Sequence, residues 1–258
     1  FVKYASDELP SSEILFSRFL IGFIFLLPFM IRDGDFKVEL SQWPFLVMRN
    51  LAGIASMLLT FYAIKYLPIS IAVLLMNTSA LFVPLLLLVL RTRTPLKVLA
   101  CSFLGFAGVS IIMLTDSSKH FELQYIGYAL GAAFLAAMAF ISLQELNKHN
   151  SPKNIVFYFH LLGSLLLPLF FATQWTIPSA QGFVFLLLVG GFGLIFQLLL
   201  TRAFKYAPAN VITPFAFTGV IFSSLFDWLF WHNVPTLNFW IGSLVIIVSV
   251  SLLAKIRR

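Results

Sequence analysis

Charge is scarce in this chain. Only 10% of its 258 residues are Asp, Glu, Lys or Arg, against 60% hydrophobic. A soluble domain carries roughly a quarter charged residues, so soluble globular classes are excluded at the outset. Cysteine occurs once, as Cys101 in an apolar stretch; it forms no intrachain disulfide and reads as a small packing residue. Catalytic signatures are missing too. There is no HExxH, GxSxG or Walker loop, and carboxylates and histidines do not gather within the apolar runs, which counts against a membrane enzyme. No metal-binding or cofactor pattern is present. The formal charge of +7 invites a nucleic-acid reading, but the basic residues are scattered singly between apolar runs. Loop charges that orient helices explain them better.

What the chain has in quantity is apolar length. Spans of about 20 apolar residues are long enough to cross a bilayer as helices. Nine are read, over about 12–31, 43–64, 68–90, 96–115, 124–145, 154–172, 182–201, 208–231 and 237–255. Short connections carry helix punctuation at Pro68, Pro95, Pro152, Pro178, Pro208 and Pro235.

The spans repeat at a spacing of about 140 residues. Phe61-Tyr62-Ala63-Ile64-Lys65-Tyr66-Leu67-Pro68 aligns with Thr201-Arg202-Ala203-Phe204-Lys205-Tyr206-Ala207-Pro208, with Ala, Lys, Tyr and Pro in register. Gly53/Gly193, Thr78/Thr218, Phe82/Phe222 and Pro95/Pro235 continue the match. With one residue of slippage, Ile14, Phe16, Leu20 and Gly22 meet Ile155, Phe157, Leu161 and Gly163. The division predicted is 1–119 and 120–258. By this alignment the first copy lacks most of its first helix, so ten helices, five plus five, are expected of the complete protein.

Loop charge predicts orientation. With the C-terminus inside, alternate loops collect twelve basic residues against three in the opposite loops, Lys3, Lys65 and Lys119. Two copies of five helices with both termini cytoplasmic must cross in opposite senses, so the repeat is expected to be inverted. Trp43 at the inner surface, and Trp175, Trp228, Trp231 and Trp240 at the outer one, suit that placement.

The doubled Ala-x-Lys-Tyr-x-Pro segments at 63–68 and 203–208, Arg18-Phe19, and Gly105-Phe106-Ala107-Gly108-Val109 together resemble the EamA-type members of the drug/metabolite transporter superfamily. The resemblance covers essentially the whole chain. It implies ten helices, a central cavity, and export or exchange of small metabolites without ATP hydrolysis. Members commonly carry an acidic residue after the fourth helix of each copy. Here those places read Arg91-Thr92-Arg93 and Trp231-His232-Asn233, so that acid's role does not carry over.

Polar residues within spans are expensive, which makes each a pathway candidate. Ser70, Asn77 and Pro84 lie near one face of their helix, and Thr213, Phe217, Val220, Ser224 and Asp227 trace a stripe on the equivalent one. Pro84 and Pro214 free backbone carbonyls. These residues either face a cavity or hold helices together, and the sequence leaves both open. Arg49, Gly53, Ser56 and Thr60 share a stripe in one helix, while Gly190, Gly193 and Gln197 mark its partner; the glycines suggest close helix approach. Gly127 and Gly131 are expected to pack closely too. Arg49 reads first as an interfacial anchor, Arg18 as an anchor or an ion pair with nearby Glu13, and both more sharply as receivers of a substrate carboxylate or phosphate. His160 is expected to be simply hydrogen-bonded. Only Glu13, Glu145 and Asp227 of the ten carboxylates are read on helices, all near helix ends, which disfavours proton coupling through a deep acid.

The sequence therefore predicts an all-α integral membrane protein with a 5+5 inverted repeat, placed in the plasma (bacterial inner) membrane. Its expected function is secondary transport of a small polar metabolite such as an amino acid. Exchange of nucleoside-like or sulfonium metabolites, or a passive channel, is the alternative. The substrate-pathway candidates are Arg18, Arg49, Ser56, Asn77, Gln197, Thr213, Phe217, Ser224 and Asp227. Oligomeric state is left open.

Overall fold

The computed structural model describes residues 5, 8–67, 72, 75–90, 95–113, 123–171, 176–231 and 235–256, excluding the side chains of residues 11, 61, 64, 65, 113, 170, 171, 223, 224, 227, 230, 231 and 256. Among the described residues the regular structure is entirely helical. The helices are α1 (Ser11–Asp33), α2 (Trp43–Tyr66), α3 (Ser79–Val89), α4 (Leu96–Met113), α5 (Leu123–Leu146), α6 (Pro152–Phe171), α7 (Ala180–Tyr206), α8 (Ala209–Ile212), α9 (Thr218–Trp231) and α10 (Leu237–Ile256). A 3₁₀ turn at Leu40–Gln42 leads into α2, and another at Thr213–Phe217 joins α8 to α9. Among the described residues five helical stretches are long and apolar enough to cross a membrane: Ser12–Asp33, Leu40–Thr60, Leu123–Leu146, Ala180–Tyr206 and Leu237–Lys255. Leu75–Val89, Leu96–Ile112 and Ala209–Phe222 are shorter apolar helices.

Helix ends follow local chemistry. Gly34 closes α1 in the left-handed conformation (φ 64°), its N–H bonded to the Met30 carbonyl. Ser151 precedes Pro152 and caps α6, its hydroxyl accepting from the Asn154 N–H at 3.2 Å. Ser179 does the same for the Gly182 N–H at 3.0 Å, at the start of α7. Asp33, read from sequence as a loop residue, is the last residue of α1.

The span expected as one helix over 208–231 is instead broken by the 3₁₀ turn. Pro214 supplies no N–H, so the i→i−4 ladder fails there and the chain tightens for five residues. Pro28, Pro84 and Pro168 stay within α-helix.

The chain forms two compact units, residues 1–54 with 142–206, and residues 55–141 with 207–258. Each takes helices from both sequence copies, and the boundary falls inside α2 and α5.

In the first unit α1 lies antiparallel to α6. Glu13, near the start of α1, accepts from the Thr176 hydroxyl beyond the end of α6 at 2.7 Å. At the other end Asp33 pairs with Lys153 at the start of α6. Between these ends the contact is reciprocal. A Cβ on Gly22 would collide with the His160 ring, and one on Gly163 with the Phe19 ring. Gly22 and Gly163 are repeat equivalents, as are Phe19 and His160. Around them Leu26, Met30, Val156, Phe157 and Leu194 form an apolar core, and a second core gathers Leu9, Ile14, Ile21, Leu186 and Val189.

The second unit repeats the device with α4 and α10. A Cβ on Gly108 would meet Ile246, and one on Gly242 would meet Ile112, with each glycine also against the other's carbonyl oxygen. The Ser249 hydroxyl donates to the Cys101 carbonyl at 2.7 Å, so these helices are antiparallel as well. Ala80, Val109, Phe217, Val220 and Ile246 pack beside them. The expected close approach at Gly127 and Gly131 is not found. Nothing lies within 4 Å of a Cβ on Gly127, and Gly131 makes one ordinary contact with Leu59. The packed small residues of α5 are Ala129, Ala132, Ala133, Ala137 and Ala139, which lie on a different face.

Candidate functional site

The candidates divide between the units. In the first unit, α2 carries Arg49 inward rather than to an interface. Arg49 is 3% exposed, whereas Trp43, six residues earlier, is 45% exposed. The guanidinium carbon lies 4.2 Å from the centre of the Phe159 ring on α6. Gly53, one turn along α2, leaves the room: a Cβ there would strike Arg49 Nη1 and approach Phe159 Cε2 to 2.9 Å. The Nε–H of Arg49 finds no acceptor among the described residues. Anchoring by snorkelling, the first reading of the sequence, requires a solvated head that this side chain does not have.

Phe159 belongs to a ring cluster. Its centroid is 5.0 Å from that of Phe19 and 6.0 Å from that of His160. His160 is buried, with Nδ1 2.9 Å from the Val156 carbonyl oxygen, so it is hydrogen-bonded within its own helix as expected. Arg18, half-buried on α1, lies along Gly193 of α7, where a Cβ would come within 2.7 Å of its Nε.

Arg18 does not pair with Glu13, contrary to the sequence reading. Five residues on a helix turn through about 500°, which sends the two side chains to different faces. Glu13 is satisfied instead by the N–H and hydroxyl of Thr176. On α7, Gly190 packs on Ile21 and Gly193 on Arg18, so these glycines do serve close approach. Gln197 lies buried one turn further on.

Sequence reasoning missed three members of this unit. Asn50, adjacent to Arg49, is fully buried, and among the described residues neither of its amide atoms has a partner, nor does the buried Thr201 hydroxyl one turn after Gln197. Phe159 is the third. Adjacency and helical spacing pointed to the first two, but nothing distinguishes Phe159 among thirty phenylalanines.

In the second unit Ser56 donates to the Ala132 carbonyl at 2.7 Å, which ties α2 to α5. Thr213 donates to Ala209 within its own turn at 2.9 Å. Phe217 is fully buried, its ring against Gly105. Asn77 is half-buried just before the turn at Thr78. The side chains of Ser224 and Asp227 lie outside the described residues. Among the described residues, no group of three metal-ligating side chains occurs. The first unit thus concentrates groups able to meet a polar solute: two guanidiniums, two amides and a hydroxyl on three helices, α1, α2 and α7.

Residues 1–114 and 123–255 match the EamA-like transporter family. The chain belongs to that family. It is 29% identical to a pseudopaline exporter of Pseudomonas aeruginosa, over 100% of this chain and 90% of that protein. It is 27% identical to a riboflavin transporter of Vibrio cholerae (98% and 86% covered) and 25% identical to an S-adenosylmethionine uptake transporter of Rickettsia prowazekii (95% and 83% covered). A solved crystal structure at 15% identity superposes with a TM-score of 0.83, covering 100% of this chain and 91% of that one, which establishes a shared fold. This EamA-like protein is an integral membrane transporter. Family and relatives alike are named for transport rather than catalysis.

Proposed function

We propose that this EamA-like protein is a secondary carrier for a small polar metabolite, an amino acid or related zwitterion first, working by alternating access without ATP. The observation that carries this reading is the reciprocal antiparallel pairing of repeat-equivalent helices, α1 with α6 and α4 with α10. Reciprocity, in which i meets j while j's equivalent meets i's equivalent, is what a two-fold relation produces. An antiparallel pair of equivalents is what an inverted repeat requires, and inverted repeats underlie many alternating-access carriers. The two stretches matching the family, 1–114 and 123–255, support a division into copies at 1–119 and 120–258. The excess of basic residues in alternate loops supports a cytoplasmic C-terminus in the bacterial inner membrane.

The names of the relatives support a second substrate class. A riboflavin and an S-adenosylmethionine transporter stand among them, so nucleoside-like and sulfonium metabolites belong in the assay panel. Saturable counterflow of one panel compound in liposomes of the purified protein is the expected result; ohmic conductance in planar bilayers with no saturation would establish a channel instead. Asn77→Ala and Gln197→Ala are expected to lower counterflow while leaving membrane insertion intact. Wild-type rates in both would remove those residues from the pathway.

A further inference from the structure

Arg49 is a buried cation that no described anion balances. The six carboxylates whose side chains are described all have other partners. Glu8 takes the Ser179 N–H and hydroxyl, and Glu13 takes Thr176. Asp33 pairs with Arg32 and Lys153, Asp35 accepts from Ser151, Glu39 from Ser41, and Glu145 pairs with Lys148. His160 offers no negative charge. Stacking on Phe159 attracts the guanidinium through the ring face but supplies no acceptor for its N–H groups. An isolated buried charge is strongly unfavourable unless something of opposite sign arrives.

The surroundings add further polar groups and close packing. Gly53 lets Arg49 Nη1 and the Phe159 ring lie close against α2, where a Cβ would strike the first and come within 2.9 Å of the second, and the guanidinium carbon sits 4.2 Å from the ring centre. Asn50 beside it has both amide atoms unpartnered among the described residues, offering a donor and an acceptor. One planar monocation reads one planar monoanion best, by paired parallel N–H bonds.

We propose that Arg49 is the carboxylate receptor of the carrier, binding the carboxyl group of its metabolite through its guanidinium beside Phe159. This rests on the carrier reading above and narrows the cargo to acids and zwitterions that keep a free carboxylate.

The test uses full-length protein in nanodiscs and in liposomes. The probes are the twenty L-amino acids, each beside its α-carboxamide. Wild type is expected to gain thermal stability with at least one acid and not with its amide, and Arg49→Met to lose that response. Arg49→Lys keeps the charge but loses the fork, and its apparent affinity is expected to fall about tenfold. Without any probe, Arg49→Met is expected to melt at or above the wild-type temperature, because it removes an unbalanced charge. A large fall in melting temperature would mean that Arg49 is a structural partner and would overturn the proposal. So would a wild type stabilised by no acid, or equally by acid and amide. The carrier reading fails separately: conductance without saturable counterflow would sink it, while counterflow of an acid that Arg49→Met leaves unchanged would sink only the role of Arg49.

Discussion

Thr78 and Thr218, 140 residues apart, do the same thing: each hydroxyl donates to the carbonyl three residues back, Leu75 at 2.5 Å and Phe215 at 2.6 Å. Donors and acceptors are both repeat equivalents, and each bond lies at the start of a regular helix, α3 or α9. The repeat thus extends from side-chain identity to an individual hydrogen bond. Replacing either threonine by valine keeps the branched shape and removes the bond. Each change is expected to cost about 1 kcal/mol. Melting temperatures of the single and double variants in detergent should add if the two turns are independent.

The two glycine contacts should respond differently to added bulk. At Gly22 the obstacle is the ring of His160, a side chain, whereas at Gly108 it includes the Gly242 carbonyl oxygen at 2.8 Å. Overpacking a close contact costs on the order of 1–3 kcal/mol. Gly22→Ala should therefore destabilise the protein and be largely rescued by His160→Ala. Gly108→Ala should not be rescued by Ile246→Ala, because backbone cannot be trimmed. Equal rescue at both would mean that the α4–α10 approach is looser than described.

Helix positions were legible because apolar length alone sets them: α6 and α10 match the spans expected at 154–172 and 237–255 to within two residues. The 3₁₀ turn was not, because Pro214 looks in sequence like Pro28, Pro84 and Pro168, all of which a helix tolerates. Which proline breaks the ladder depends on what else can take up the freed carbonyls. The separation of Arg18 from Glu13 was readable in principle, since a spacing of five places them on different faces. The burial of Arg49 was not. Depth along the helix follows from counting, but the waiting ring of Phe159 comes from a helix more than a hundred residues away.

The polar connection of the first unit offers a contrast of magnitudes. Asn154 donates to the Asp35 carbonyl at 2.8 Å and the Lys37 carbonyl at 3.2 Å, and it is buried. The Lys153–Asp33 ion pair beside it is largely exposed. Losing buried bonds that leave carbonyls unsatisfied costs about 1–3 kcal/mol, so Asn154→Ala should lower the melting temperature clearly. Lys153→Met should change it little, since exposed ion pairs contribute little and are screened by salt. A larger loss from Lys153→Met at physiological salt would show that the charge, not the amide, holds the connection.

Cys101 makes the inverted topology directly measurable. It is the chain's one cysteine and it is buried, so Cys101→Ser gives a background without thiols. The Ser249 bond uses the Cys101 backbone oxygen and survives that change. Single cysteines at Lys119, Lys153 and Arg202 then report the sidedness of their loops to an impermeant maleimide. Inverted copies with a cytoplasmic C-terminus require Lys153→Cys and Arg202→Cys to be labelled only from the inside, and Lys119→Cys only from the outside. The prediction is sharp because Lys153 and Arg202 lie near opposite ends of α6–α7, a pair of helices that must return the chain to its starting side. Labelling of those two positions from opposite sides would leave α6 and α7 crossing the membrane once between them. The antiparallel pairing of repeat equivalents would then have to arise without inversion, and the alternating-access reading would lose its structural basis.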